Sequence, residues 1–133
     1  MNHLSQSAQV DNSAFRTIKT LTPGAFTLIV PATKDGPTRL WLPKRDPIGI
    51  RVPDYTVVQS LLAVLDGPLL SVSLIMPDEE FPLVDGETVL ERVGHAVEGV
   101  LDGGWVGHEP TTVVDLTSGS PELIRQGAGV LPW

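Results

Sequence analysis

The sequence predicts an α/β fold: a twisted sheet of mixed parallel and antiparallel strands with flanking helices, forming one domain over residues 1–133. Three observations carry that expectation. Twelve prolines and thirteen glycines interrupt the chain every few residues, which suits short elements joined by tight turns and disfavours a helical bundle. Compact β-prone runs alternate with segments of helical apolar spacing. From Ile48 to Leu74 the order strand, helix, strand has the spacing of one βαβ crossover.

Taken in order, Asp11 and Asn12 can cap a helix that runs through Leu21, with Ala14, Phe15, Ile18 and Leu21 at helical spacing and Pro23-Gly24 as its stop. Phe26 to Val30 and Ile48 to Val52 are short apolar runs bounded by prolines, and both predict strands. Thr33 to Lys44 holds Gly36, Pro37 and Pro43 and predicts a loop with one helical turn at most. Asp54 can cap a helix from Thr56 to Leu65 that turns Val57, Leu61, Leu62 and Leu65 inward and ends at Gly67-Pro68. Leu69 to Met76 predicts a buried strand, Asp78 to Asp85 an acidic loop, and Glu87 to Val93 a helix that extends slightly further. Val97 to Leu101, Thr112 to Leu116 and Glu122 to Gln126 predict the closing strands. The first 24 residues hold no strand, which leaves one sheet edge short of partners.

Composition narrows the class of function. An apolar content of 41% with 19% charged residues is that of a globular chain rather than a disordered one. Without cysteine there is no disulfide framework, thiolate metal site or cysteine nucleophile. Met1 to Val10 lacks the basic cluster and apolar run of a secretory signal. The most apolar stretch, Val57 to Met76, is broken by Gln59, Asp66, Gly67 and Pro68, so no membrane segment is predicted and a cytoplasmic protein is expected. Charge is uneven: residues 1–51 carry seven basic groups against three acids, whereas residues 52–133 carry two against thirteen. A phosphate-bearing partner would be drawn to the first part and repelled by the second. The plainer alternative is scattered surface charge.

Familiar catalytic signatures are missing. No Walker-type loop or Gly-x-Gly-x-x-Gly turn follows a strand, and Gly99, Gly103, Gly104 and Gly107 read as turn residues. His3, His95 and His108 lack metal-ligand spacing, and Asp78, Glu79 and Glu80 read as a solvated loop, so no metal site is assigned. Ser71 and Ser73 have no nucleophile elbow around them, and no catalytic residue is assigned. Arg51 stands out because it interrupts an apolar run, Ile48-Gly49-Ile50-Arg51-Val52-Pro53. Alternation puts it beside Gly49 on one face, where its guanidinium could grip a carboxylate or phosphate; the alternative is an arginine on a solvent-facing sheet. Arg125, after Leu123 and Ile124, repeats the theme. Ser71 and Ser73 alternate with Leu70, Val72 and Leu74, so a strand would turn both hydroxyls to one side. Arg51, Ser71, Ser73 and Arg125 together are expected to face a hollow made for an anionic small molecule.

Four segments in series carry a resemblance: Thr22-Pro23-Gly24-Ala25-Phe26-Thr27; Ile48-Gly49-Ile50-Arg51-Val52-Pro53-Asp54; Leu70-Ser71-Val72-Ser73-Leu74; and Pro110-Thr111-Thr112-Val113-Val114-Asp115 with Arg125-Gln126-Gly127-Ala128. In order and spacing they resemble the C-terminal portion of the YrdC-like domain, the threonylcarbamoyl-AMP synthase superfamily. The resemblance implies a nucleotidyltransferase that joins L-threonine, bicarbonate and ATP into threonylcarbamoyl-AMP with release of pyrophosphate, a step in tRNA modification. It implies ATP as substrate, compatible with Mg2+, and no covalently bound cofactor. By motif, Arg51, Ser71 and Thr111 look like L-threonine contacts, and Ser73 and Arg125 like nucleotide contacts.

Three departures qualify that picture. Leu74 and Ile75 stand where the synthases have Ala-Asn, which resembles the YciO-type branch and removes an amide expected near the nucleotide. Pro47 replaces a threonine common four residues before the family arginine. The family's first strands and Lys-x-Arg motif have no counterpart, so a domain truncated at its N-terminus and inactive alone is expected. The alternative function is a double-stranded RNA-binding module without chemistry, which a net charge of -7 disfavours. A third is an assembly subunit pairing through an open sheet edge.

Overall fold

The computed structural model describes residues 10–32 and 47–133. The loop expected over Thr33 to Lys44 and most of the first ten residues lie outside the described residues. The chain divides into two compact units, one of Met1–Leu70 with Pro110–Trp133 and one of Ser71–Glu109.

Among the described residues, the first helix of the first unit is α1, Asn12–Leu21. Asp11 caps it as its sequence position predicts, its carboxylate accepting the Ala14 N–H at 2.7 Å. The strands are β1, Phe26–Val30; β2, Ile48–Ile50; β3, Thr112–Asp115; and β4, Glu122–Arg125. Among the described residues they form a four-stranded sheet in the order β2-β1-β3-β4. β1 pairs antiparallel with β2, setting Leu28 opposite Ile50 and Val30 opposite Ile48, and parallel with β3, setting Phe26 opposite Thr112. β3 and β4 are antiparallel, with an irregularity at Val113/Val114. The mixed α/β sheet predicted from the sequence is therefore present.

Period-two alternation divides the sheet into a core face and an outer face. Phe26, Leu28 and Val30 of β1, Ile48 of β2, Val114 of β3 and Leu116 just beyond it turn inward, where they meet Ile18 and Leu21 of α1 in one core. Ile18, Leu28 and Val30 are fully buried. Each such side chain contributes roughly 1.5–3 kcal/mol by leaving water. The outer face carries Thr27 and Ile29 of β1, Gly49 of β2, and Thr111, Val113 and Asp115 on and beside β3.

Helix α2, Thr56–Leu65, forms where predicted, but its N-cap is Tyr55 rather than Asp54. No residue of it is buried, and Leu65, expected to turn inward, is half exposed. In the second unit Asp85 caps α3, Gly86–Val93, by accepting from the Thr88 N–H at 2.8 Å and hydroxyl at 3.0 Å. A 3-10 turn, Gly94–Ala96, continues it. Arg92 pairs with Glu79 at 2.9 Å, and Phe81 stacks on His108.

Two expected strands do not form. Leu69 to Met76 is irregular, and Val72 within it is 92% exposed. A β-prone run becomes a strand only beside a partner, and this one bonds locally, with Ile75 N–H to Ser73 O and Leu83 N–H to Leu74 O. The βαβ crossover ending at Leu74 is thereby replaced: the parallel pair is β1 with β3. Val97 to Leu101 is also irregular, in a stretch interrupted by Gly99, Gly103 and Gly104. No described helix is long and apolar enough to cross a membrane.

Candidate functional site

Residues expected to bind a ligand meet on the outer face of the sheet. Thr27, on the central strand, turns its methyl towards β2 and its hydroxyl towards β3. A Cβ placed on Gly49 would lie 3.1 Å from the Thr27 Cγ2, and the Thr27 Oγ1 lies 2.6 Å from the Thr111 Oγ1. Arg125, opposite Val113 in the register, reaches back to Thr111. Its Nε and Nη2 donate to the Thr111 carbonyl oxygen at 3.1 and 2.8 Å, and Nη2 also donates to the Thr111 hydroxyl at 3.3 Å. Alternation from Gly49 brings Arg51 to the same side, directly after β2. Thr27, Thr111 and Arg125 are thus linked by hydrogen bonds on the outer face, in a row that the alternation of β2 extends to Arg51.

The row is electrostatically open. Arg51 and Arg125 are exposed, and neither has a carboxylate partner among the described residues. The Arg125 Nη1 has no acceptor there either. Two guanidinium groups without a carboxylate partner among the described residues suit an anionic ligand, because Arg51 can meet a carboxylate or phosphate with two parallel donors and Arg125 with its remaining Nη1.

Glycines and one buried threonine fix the Arg125 end. Thr112 is fully buried, and its hydroxyl donates to Gly129 O at 2.7 Å while accepting from the Gly127 N–H at 2.9 Å. The Ala128 N–H donates to Pro110 O at 2.9 Å. A Cβ on Gly127 would overlap the carbonyl oxygens of Pro110 and Thr111, so only glycine lets the segment after Arg125 pass this close to β3. At the far end of the face, Asp115 accepts from the Thr117 hydroxyl at 2.6 Å and N–H at 2.8 Å. These bonds, the hydroxyl first, hold its carboxyl below the ordinary carboxylate range.

Of the residues the sequence singles out, Thr111 and Arg125 are bonded to one another on the outer face, and Arg51 directly follows β2. Ser71 and Ser73 belong to the second unit and are exposed on an irregular segment, so they do not share the face of a buried strand as expected. Among the described residues Arg51 and Arg125 are exposed, while Thr27 and Thr111 are half-buried. A shallow depression of this unit, lined by Asp11, Thr17, Leu116 and Ser120 among others, lies at the other end of β3. No three described His, Asp or Glu side chains are grouped to hold a metal ion. Sequence reasoning missed Thr27 as a site residue, although alternation within Phe26–Val30 already sets this single hydroxyl apart from the core positions.

Comparison with known proteins gives this surface a context. Residues 1–127 match the Sua5/YciO/YrdC family model, described as "Telomere recombination". A Haemophilus influenzae protein is 47% identical over 130 residues, 97% of this chain and 63% of that protein. YciO of Escherichia coli is 43% identical over 129 residues, 97% of this chain and 63% of its own length. The YciO crystal structure superposes with a TM-score of 0.85, covering 98% of this chain and 64% of that one. P. abyssi Sua5 superposes at 0.81 with 25% identity and, complexed with L-threonine, at 0.75 with 24%; each covers 96% of this chain and 37% of that one. The chain therefore spans about 63% of the length of the curated relatives named here. A family match over nearly every residue, together with the mixed sheet and its superposition on YciO, means that the chain belongs to the Sua5/YciO/YrdC family, on its YciO-type side.

Proposed function

We propose that this chain binds L-threonine on the Arg51–Thr111–Arg125 face, as part of a domain of the L-threonylcarbamoyladenylate synthase type. One observation carries the reading: Arg125, without a carboxylate partner among the described residues, is clamped to Thr111 of a linked hydroxyl pair, on the side to which alternation from Gly49 also assigns Arg51. The L-threonine complex of P. abyssi Sua5, a protein of the same fold, supports the choice of ligand. Arg51 takes the amino-acid carboxylate with two parallel donors, and Thr111 adds its hydroxyl. Arg125, held by Thr111, presents its remaining nitrogen to a nucleotide phosphate, where it neutralises charge. The setting is cytoplasmic, where ATP, threonine and bicarbonate are at hand.

Turnover is a separate matter. Ile75 offers no amide where the synthases carry asparagine, and Pro47 offers neither a hydroxyl nor an N–H. The chain by itself is read as a binding unit that does not form the adenylate. Double-stranded RNA binding gains no support from the strongly acidic residues 52–133.

Calorimetry with L-threonine and a pyrophosphate-release assay test both halves. L-threonine should bind, Arg51→Ala should abolish binding, and no pyrophosphate should appear above the ATP blank. Equal binding by Arg51→Ala, or none by the native chain, overturns the binding site. Pyrophosphate release that depends on threonine and bicarbonate overturns the inactivity.

A further inference from the structure

We infer that Thr27 is a positioning residue that aims the Thr111 hydroxyl hydrogen at the ligand's carboxylate; this inference rests on the reading of the Arg51–Thr111–Arg125 face given above. The counting of donors leads there. Thr27 Oγ1 and Thr111 Oγ1 lie 2.6 Å apart, so one hydrogen sits between them. Thr111 Oγ1 also faces the Arg125 Nη2 at 3.3 Å, and a guanidinium only donates. A hydroxyl has one hydrogen and two lone pairs. If Thr111 gave its hydrogen to Thr27, it would have none for a carboxylate. If Thr27 donates instead, Thr111 accepts from both Thr27 and Arg125, and its own hydrogen is left for the ligand. A carboxylate selects the second arrangement, because each bond in the relay Thr27 to Thr111 to anion polarises the next.

Thr27 is built for this donor role. It is half-buried on the central strand, and its hydroxyl has one hydrogen-bond partner among the described residues, the Thr111 Oγ1. Its β-branched side chain has few rotamers, and the missing side chain of Gly49 leaves room for its methyl at 3.1 Å from the position of a Cβ. With the methyl on the β2 side, the hydroxyl is left pointing at β3. Valine would fill the same space without a donor; serine would keep the donor and lose the methyl.

The test is a double-mutant cycle read by calorimetric titration of the full chain with L-threonine. Thr27→Val should weaken binding by about tenfold, the loss of one hydrogen bond in a charge-assisted relay. Thr27→Ser should stay within about twofold of the native chain, and Thr27→Val should add nothing further on a Thr111→Val background. Thermal unfolding of each variant checks that the differences are not loss of fold, and Thr27→Ser carries the comparison if Thr27→Val unfolds. Native-like binding by Thr27→Val overturns the inference, as does equal weakening by Ser and Val or a full additional loss on the Thr111→Val background. If Arg51→Ala abolishes binding while Thr27→Val leaves it intact, the inference alone fails. If the native chain takes up no L-threonine, the underlying reading fails and takes this inference with it.

Discussion

The Arg125 guanidinium holds the Thr111 main-chain carbonyl with two nitrogens, at 3.1 and 2.8 Å, and so joins the end of β4 to the start of β3 on the outer face of the sheet. The bond belongs to a planar fork that lysine cannot copy. Because the pair is exposed, its value lies in orientation more than in stability.

Arg125→Lys is therefore expected to lower stability by no more than about 1 kcal/mol in urea denaturation. The same variant should weaken L-threonine binding by about fivefold, as Thr111 loses both a clamp and a donor. A large stability loss with unchanged affinity would assign Arg125 to the fold alone.

Gly127→Ala tests the close passage of the chain across β3. The added methyl would overlap the Pro110 and Thr111 carbonyl oxygens, and main-chain atoms cannot step aside as a side-chain tip can. A loss of about 1–3 kcal/mol is expected in denaturant unfolding, comparable to overpacking a core. Gly99→Ala, where a Cβ would meet nothing within 4 Å, serves as the control and should cost far less.

Acidic titration should find two aspartates held low. Asp85 is held below the ordinary carboxylate range first by the Thr88 N–H and then by its hydroxyl, and Asp115 first by the Thr117 hydroxyl and then by its N–H. A carboxyl whose folded pKa lies below its unfolded one stabilises the fold above the unfolded value and loses that contribution as pH falls through the folded value. NMR of side-chain carboxyl carbons should give Asp85 and Asp115 midpoints below that of a free aspartate. Thr117→Val should raise the Asp115 midpoint while Asp85 stays unchanged. An unmoved Asp115 midpoint would contradict the assigned cause.

What was legible in the sequence was local. Asp11 before Asn12, the compact run at Phe26 and the turn-bounded run Thr112 to Leu116 name their own elements, because caps and short β-prone runs are short-range signals. The parallel pairing of Phe26 with Thr112 was not legible, since nothing near either residue records a partner so distant in the chain. Leu69 to Met76 has the composition of a strand, yet strand formation needs a neighbour, and that condition is written elsewhere. Site reading divided the same way. Arg51 and Arg125 betrayed themselves as charges beside apolar residues, and Thr111 came through resemblance. Thr27 was overlooked because its meaning depends on the hydroxyl across the strand, 2.6 Å away.

Titrating the isotope-labelled chain with L-threonine, with backbone amides and arginine Nε–H groups followed by NMR, tests the central claim most directly. Thr27, Arg51, Thr111 and the Nε–H of Arg125 should shift together along one binding curve. Shifts confined to the depression around Asp11, Thr17 and Ser120, or no shifts at saturating ligand, would contradict it.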